Sequence, residues 1–84
     1  MVSYVFQGNF TKVAQSTESI KNSDGSETLY NSIILSNGVK VFNVTAGISA
    51  GVSNIPIGET FKMYFDVIEK NGRQKLKVVE VEAL

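Results

Sequence analysis

Two asparagine-glycine pairs, each between β-rich segments, constrain the fold of this chain more than any other feature. Asn37-Gly38 and Asn71-Gly72 each supply two adjacent residues that tolerate positive φ, as a type I′ turn between antiparallel strands requires. The flanking segments are rich in β-branched and aromatic residues and span 27–36, 39–46, 60–70 and 73–83. The sequence therefore predicts two β-hairpins.

The rest of the chain supplies a fifth strand and two irregular segments. Residues 3–15 read as a long first strand, in which Gly8 permits a bulge or a bend. Residues 16–27 are polar and contain Asp24-Gly25, which suits either an open loop or a protruding two-stranded extension. Residues 47–59 contain three glycines and the single proline, so we expect a crossover with at most a short helical turn.

This order of elements predicts an all-β fold with one domain, residues 1–84. A chain of 84 residues has apolar material for one core only. A long bent first strand, a hairpin, an irregular crossover and a second hairpin follow the plan of a five-stranded OB-fold-type barrel. A small barrel of the SH3 type can be drawn through the same strands and is the alternative.

Composition favours binding over catalysis. The chain has no histidine and no cysteine, so the commonest general base, the commonest metal ligands and the thiol nucleophile are missing. Its carboxylates form no plausible acid-base pair, and we expect no enzymatic activity, no metal and no cofactor. Without an apolar run of about 20 residues or a signal-peptide pattern, a cytoplasmic protein with no membrane partner is expected.

Alternation along the strands predicts which side chains face the core. In the fourth strand, Phe61, Met63, Phe65 and Val67 share one face, which leaves Tyr64 on the other. The apolar set of the second strand leaves Tyr30 outside. The third strand is predicted to turn Val39 and Val41 inward and Phe42 and Val44 outward, and the phase of the fifth strand reverses, as a bulge near Val78 would explain.

The outward positions combine cations with aromatic rings. Single-stranded nucleic acid needs both, because cations contact its phosphates and exposed rings stack on its unpaired bases. We therefore expect non-catalytic binding of single-stranded DNA, with RNA as a possible ligand and with little sequence preference. The predicted contact residues are Tyr30, Lys40, Phe42, Lys62, Tyr64, Lys70, Arg73, Lys75 and Lys77.

The last third of the chain resembles a known family. Residues 55–84 contain Pro56 and Gly58 before a final hairpin with Asn71-Gly72, and in this they resemble the small single-stranded DNA-binding proteins of filamentous bacteriophages. The resemblance implies an OB-fold, a homodimer and a role in the replication of phage or mobile-element DNA. It also implies a DNA-binding wing at residues 17–27, although here Lys21 is the only cation of that segment.

A second function remains open from the sequence. If Phe42, Val44 and Ile68 are exposed, they form an apolar patch that suits a small protein-interaction or assembly module. Neutral net charge fits that alternative, whereas the cluster of cations at residues 70–77 fits nucleic acid.

Overall fold

The computed structural model describes residues 6–84, except for the side chain of Lys70. The strands are β1 (Phe6–Lys21), β2 (Glu27–Ser36), β3 (Val41–Gly47), β4 (Thr60–Lys70) and β5 (Arg73–Ala83), and a 3₁₀ helix spans Gly51–Asn54. The predicted all-β class is confirmed, and β2, β4 and β5 have the predicted bounds. The beginning of the predicted first strand, residues 3–5, lies outside the described residues.

The five strands form one antiparallel sheet in the order β3-β2-β1-β4-β5. Strand β1 is long enough to serve two partners, since residues 6–11 pair with β4 and residues 11–21 pair with β2. Within residues 6–84 no ladder joins β3 to β5, so the sheet is not closed. The sheet is therefore as expected, whereas closure into a barrel is not confirmed.

Both predicted hairpins are present, but their turns differ. Asn71 and Gly72 have φ values of 54° and 75°, as a type I′ turn requires. The first hairpin instead has a four-residue loop, residues 37–40, in which only Gly38 has positive φ. The Asn37 side chain explains this loop, because its Oδ1 accepts hydrogen bonds from the backbone N–H groups of Val39 and Lys40 at 2.9 and 2.7 Å.

Two register shifts bend the sheet. In β1 the shift lies between Lys12 and Ala14, which makes Val13 the bulged residue, whereas Gly8 pairs regularly with Met63. The bend that the sequence suggested at Gly8 is therefore five residues further along. The second shift leaves Val79 without a partner in β4, which confirms the predicted bulge near Val78.

The core lies on the inner face of the curved sheet. Strand alternation brings together seven buried apolar side chains: Phe10, Ile33, Leu35, Val44, Val52, Phe61 and Met63. Phe65 packs at the edge of this core and places its ring edge-on to Phe10, with the ring centroids 5.6 Å apart. The inward prediction holds for β4 as far as Phe65, and Val67 is largely exposed.

The inward-outward prediction for β3 is wrong. Val44 is only 2% exposed and Phe42 packs against the core, whereas Val41 is 66% exposed. The reason is the register with β2, in which Phe42 pairs with the inward residue Leu35 and Val44 pairs with the inward residue Ile33. Burial of Val44 also removes it from the apolar patch that the alternative function requires.

A buried lysine holds the crossover segment against the sheet. Lys12 is 1% exposed, and its Nζ donates hydrogen bonds to the backbone carbonyls of Val52, Ser53 and Ile55 at 3.0, 3.3 and 2.7 Å. Burial lowers the pKa of the Lys12 ammonium from its ordinary value. The three carbonyls favour the charged form and oppose that effect, so Lys12 replaces an apolar core contact by a polar clamp.

Candidate nucleic-acid interface

The outer edges of β3 and β5 face each other across an open cleft, which we call the seam. Residues 41–43 line one cavity with 74–76, residues 43–45 line the next with 75–77, and residues 45–47 line the third with 77–81. The two strands therefore run side by side in the same direction without forming a ladder. The 3₁₀ helix lines the last of these cavities, which has a volume of about 460 Å³.

Cations lie along the β5 side of the seam. Lys75 and Lys77 are exposed and project from the outer face, where β4 places Ile68 and Asp66 opposite them. Arg73 begins β5, and Lys40 precedes β3, so both lie toward the same end of the seam. Three cations in five residues, with no carboxylate among them, make this strand locally positive in a chain of zero net charge.

Two of the three predicted aromatic residues also reach the seam. Tyr30 is half-buried on the outer face of β2 and lines an open cavity of about 400 Å³ with Thr45 and Lys75. Phe42 faces inward and stands edge-on to Phe10 at a centroid distance of 5.9 Å, yet its exposed part lines a cavity with Lys75. The expectation that Phe42 stands on the outer face is wrong, although it does border the seam.

Tyr64 and Lys62 form a separate group on the outer face of β4. The Lys62 Nζ lies 5.3 Å from the centroid of the Tyr64 ring, in a cation-π arrangement. The Tyr64 hydroxyl donates a long hydrogen bond of 3.5 Å to Glu82 Oε2, and Glu80 is the cross-strand neighbour of Tyr64. These two carboxylates make the surroundings of Tyr64 less favourable to phosphate than the seam.

The remaining predicted residue is Lys70, whose backbone pairs with Arg73 across the Asn71-Gly72 turn. Its side chain lies outside the described part of the structure. The structure thus brings Tyr30, Phe42, Lys75 and Lys77 to the seam, with Lys40 and Arg73 toward one end, and it leaves Lys62 and Tyr64 on another surface.

Sequence reasoning missed two polar residues of the seam. Asn43 and Thr45 project from the outer side of β3 and line a cavity with Lys75 and Lys77. Their amide and hydroxyl groups can donate to and accept from base edges. The signal was available, because both residues alternate with the apolar residues Phe42 and Val44, which face the core.

A buried polar network supports the far end of the seam. Asn31 is buried, accepts a hydrogen bond from the Thr17 hydroxyl at 2.8 Å and donates to Ser53 Oγ at 2.9 Å. The Ser53 hydroxyl in turn donates to the carbonyl of Gly47 at 2.7 Å. Because Gly47 ends β3, this chain of bonds fixes the β3 edge relative to β1, β2 and the crossover.

Comparison of the chain with protein-family models, with curated proteins and with solved structures finds no match. The function therefore has to be argued from the chain's own geometry. Among residues 6–84, no helix has the length and apolar character that crossing a bilayer requires.

Proposed function

We propose that this protein binds single-stranded DNA without catalysis and that the strand lies along the seam. The observation that carries the proposal is the convergence of Lys75, Lys77 and Tyr30 on one open cleft. Spaced ammonium groups neutralise successive phosphates and release counterions, while a half-exposed ring provides a surface on which a base stacks. Neither interaction depends on base identity, so binding has little sequence preference.

Strand order supports an OB-type barrel as the finer description of the fold. In the order β3-β2-β1-β4-β5, contact between the two edge strands would complete a five-stranded ring, and the seam is where that ring is open. Five-stranded partly open barrels of this type bind oligonucleotides on their surface. The resemblance of residues 55–84 to single-stranded DNA-binding proteins of filamentous phages points to DNA replication in a phage or mobile element.

Fluorescence anisotropy with labelled oligo(dT), oligo(rU) and duplex DNA tests this function. We expect salt-sensitive binding that prefers single strands to duplex, and the comparison of oligo(dT) with oligo(rU) decides between DNA and RNA. For single strands, log affinity falls with log salt by about 0.7 per neutralised phosphate. Replacing Lys75 and Lys77 by glutamine should therefore reduce the magnitude of that slope by roughly 1.4.

Matched variants separate the seam from the other exposed groups. Lys21→Gln removes one exposed lysine outside the seam and should leave the affinity close to that of the parent. Tyr30→Ala should cost about 1–3 kcal/mol of binding free energy if a base stacks there, and Tyr64→Ala should cost less. Equal affinities for the parent and the Lys75→Gln, Lys77→Gln double variant would rule out the seam as the binding site.

A further inference from the structure

The distal part of the β1–β2 hairpin, residues 18–30, extends beyond the core and is here called the arm. Its residues are exposed except for half-buried Tyr30, and its tip is a turn in which Asp24 Oδ1 accepts hydrogen bonds from the backbone N–H and the hydroxyl of Ser26. Ile20 and Leu29 are each 54% exposed. A two-stranded ribbon with exposed apolar residues has little stability of its own and gains from a partner.

The arm and the seam carry opposite charges. Within residues 18–30 the charged groups are three carboxylates, Glu18, Asp24 and Glu27, and one ammonium, Lys21. Within residues 73–77 they are three cations and no carboxylate. The zero net charge of the chain therefore conceals an acidic region and a basic region, and each is an electrostatic complement of the other.

The acidic and basic regions also adjoin in one molecule. Ile20 and Thr28 of the arm line the same open cavity as Lys75 of the seam. A surface that carries an acidic and a basic region side by side is complementary to a copy of itself turned by a two-fold rotation. In that arrangement each region of one copy meets the other region of the second copy.

We propose that two copies of this chain associate reciprocally, with the acidic arm of each docked on the basic seam of the other. Ion pairs between the arm carboxylates and Lys75 or Lys77 set the orientation, and Ile20 supplies apolar contact at the junction of arm and seam. This inference rests on the chain's own charge distribution and holds whether or not the seam binds nucleic acid.

Sedimentation velocity over a range of protein concentrations, without nucleic acid, tests the proposal. We expect a dimer at low salt that dissociates when the salt concentration is raised. The arm variant Glu18→Lys, Glu27→Lys and the seam variant Lys75→Glu, Lys77→Glu should each have a dissociation constant raised by more than about tenfold, because like charges then face each other.

Mixing the two variants provides the decisive measurement. The arm variant offers a basic arm and a basic seam, and the seam variant offers an acidic arm and an acidic seam, so an equimolar mixture should form a heterodimer although neither variant dimerises alone. Glu80→Lys, Glu82→Lys changes the charge by the same amount on another surface and should still dimerise. A parent that stays monomeric, variants that dimerise like the parent, a mixture without heterodimer, or species larger than a dimer would each overturn the reciprocal arrangement. Circular dichroism confirms that each variant is folded.

Discussion

Replacing Lys12 by methionine should destabilise the protein, although methionine is the more apolar residue. The substitution keeps the length and volume of the side chain but removes the donor that serves three backbone carbonyls at 2.7 to 3.3 Å. The carbonyl of Val52 retains a weak hydrogen bond from the N–H of Ile55 at 3.5 Å. The carbonyls of Ser53 and Ile55 therefore bear most of the loss.

The magnitude follows from two opposing contributions. Hydrogen bonds to a charged donor contribute about 1.5–3 kcal/mol each, and carbonyls left without a donor lose their solvation as well. Against this, methionine avoids the desolvation cost of a buried ammonium. We expect a net loss of about 2–4 kcal/mol in the free energy of unfolding, out of a total of roughly 4–13 kcal/mol for a chain of this size.

Urea denaturation followed by far-ultraviolet circular dichroism measures this loss. At about 4–8 °C per kcal/mol for a domain of this length, the Tm should fall by roughly 10–30 °C. Lys21→Met, at an exposed position of the same strand, is the control and should change stability by less than about 0.5 kcal/mol. A Lys12→Met variant as stable as the parent would refute the clamp, because burial of the ammonium would then cost as much as its three bonds contribute.

Three further predictions concern titration, the second turn and competition at the seam. Because burial lowers the pKa of Lys12, the unfolded chain holds that proton at pH values where the folded chain has begun to lose it; the free energy of unfolding should rise as the pH approaches 10.5, and denaturation of Lys12→Met should lack that component. Gly72→Ala should cost about 1 kcal/mol in urea denaturation, because φ is 75° there, whereas Gly47→Ala, in open space, should cost less. Short oligo(dT) should convert the dimer into monomer-oligonucleotide complexes in sedimentation, because both partners need Lys75 and Lys77; a dimer that keeps its mass while it binds the oligonucleotide would contradict shared use of the seam.

Local patterns were enough to predict most strands. Asn71-Gly72 and the alternation of Phe61, Met63 and Phe65 are signals within a few residues, and β4 and β5 have the bounds that those signals indicate. The bulge near Val78 was also predictable, because a reversal of the apolar phase within one strand requires an extra residue.

The error in β3 came from treating that strand alone. Lys40 was assumed to lie in the strand and to face outward, whereas it belongs to a four-residue loop. Pairing across the hairpin would have corrected the error. With a loop of either two or four residues, Phe42 pairs with Ile33 or Leu35, and both of those residues face the core.

Two features of the site depend on contacts between distant parts of the chain. The position of Lys12 follows the alternation of Phe10, but lysine is so seldom buried that the sequence favours an exposed side chain. The seam needs β3 and β5 to lie side by side, and no local pattern specifies which edge strands of a sheet approach each other. Sequence therefore predicted the composition of the binding surface better than its placement.

The sharing of β1 between β2 and β4 has a consequence for how the chain folds. The β1–β2, β2–β3 and β4–β5 pairs are local hairpins, whereas pairing of Phe10 with Phe61 closes a loop of about fifty residues. Loop closure makes that non-local contact the slow one, so the two halves of the chain should form early and join late. Lys12 lies beside this joint and reaches its three carbonyls only when the crossover is in place. The residue that clamps the finished structure is thus expected to contribute little to the folding rate and much to the lifetime of the folded state.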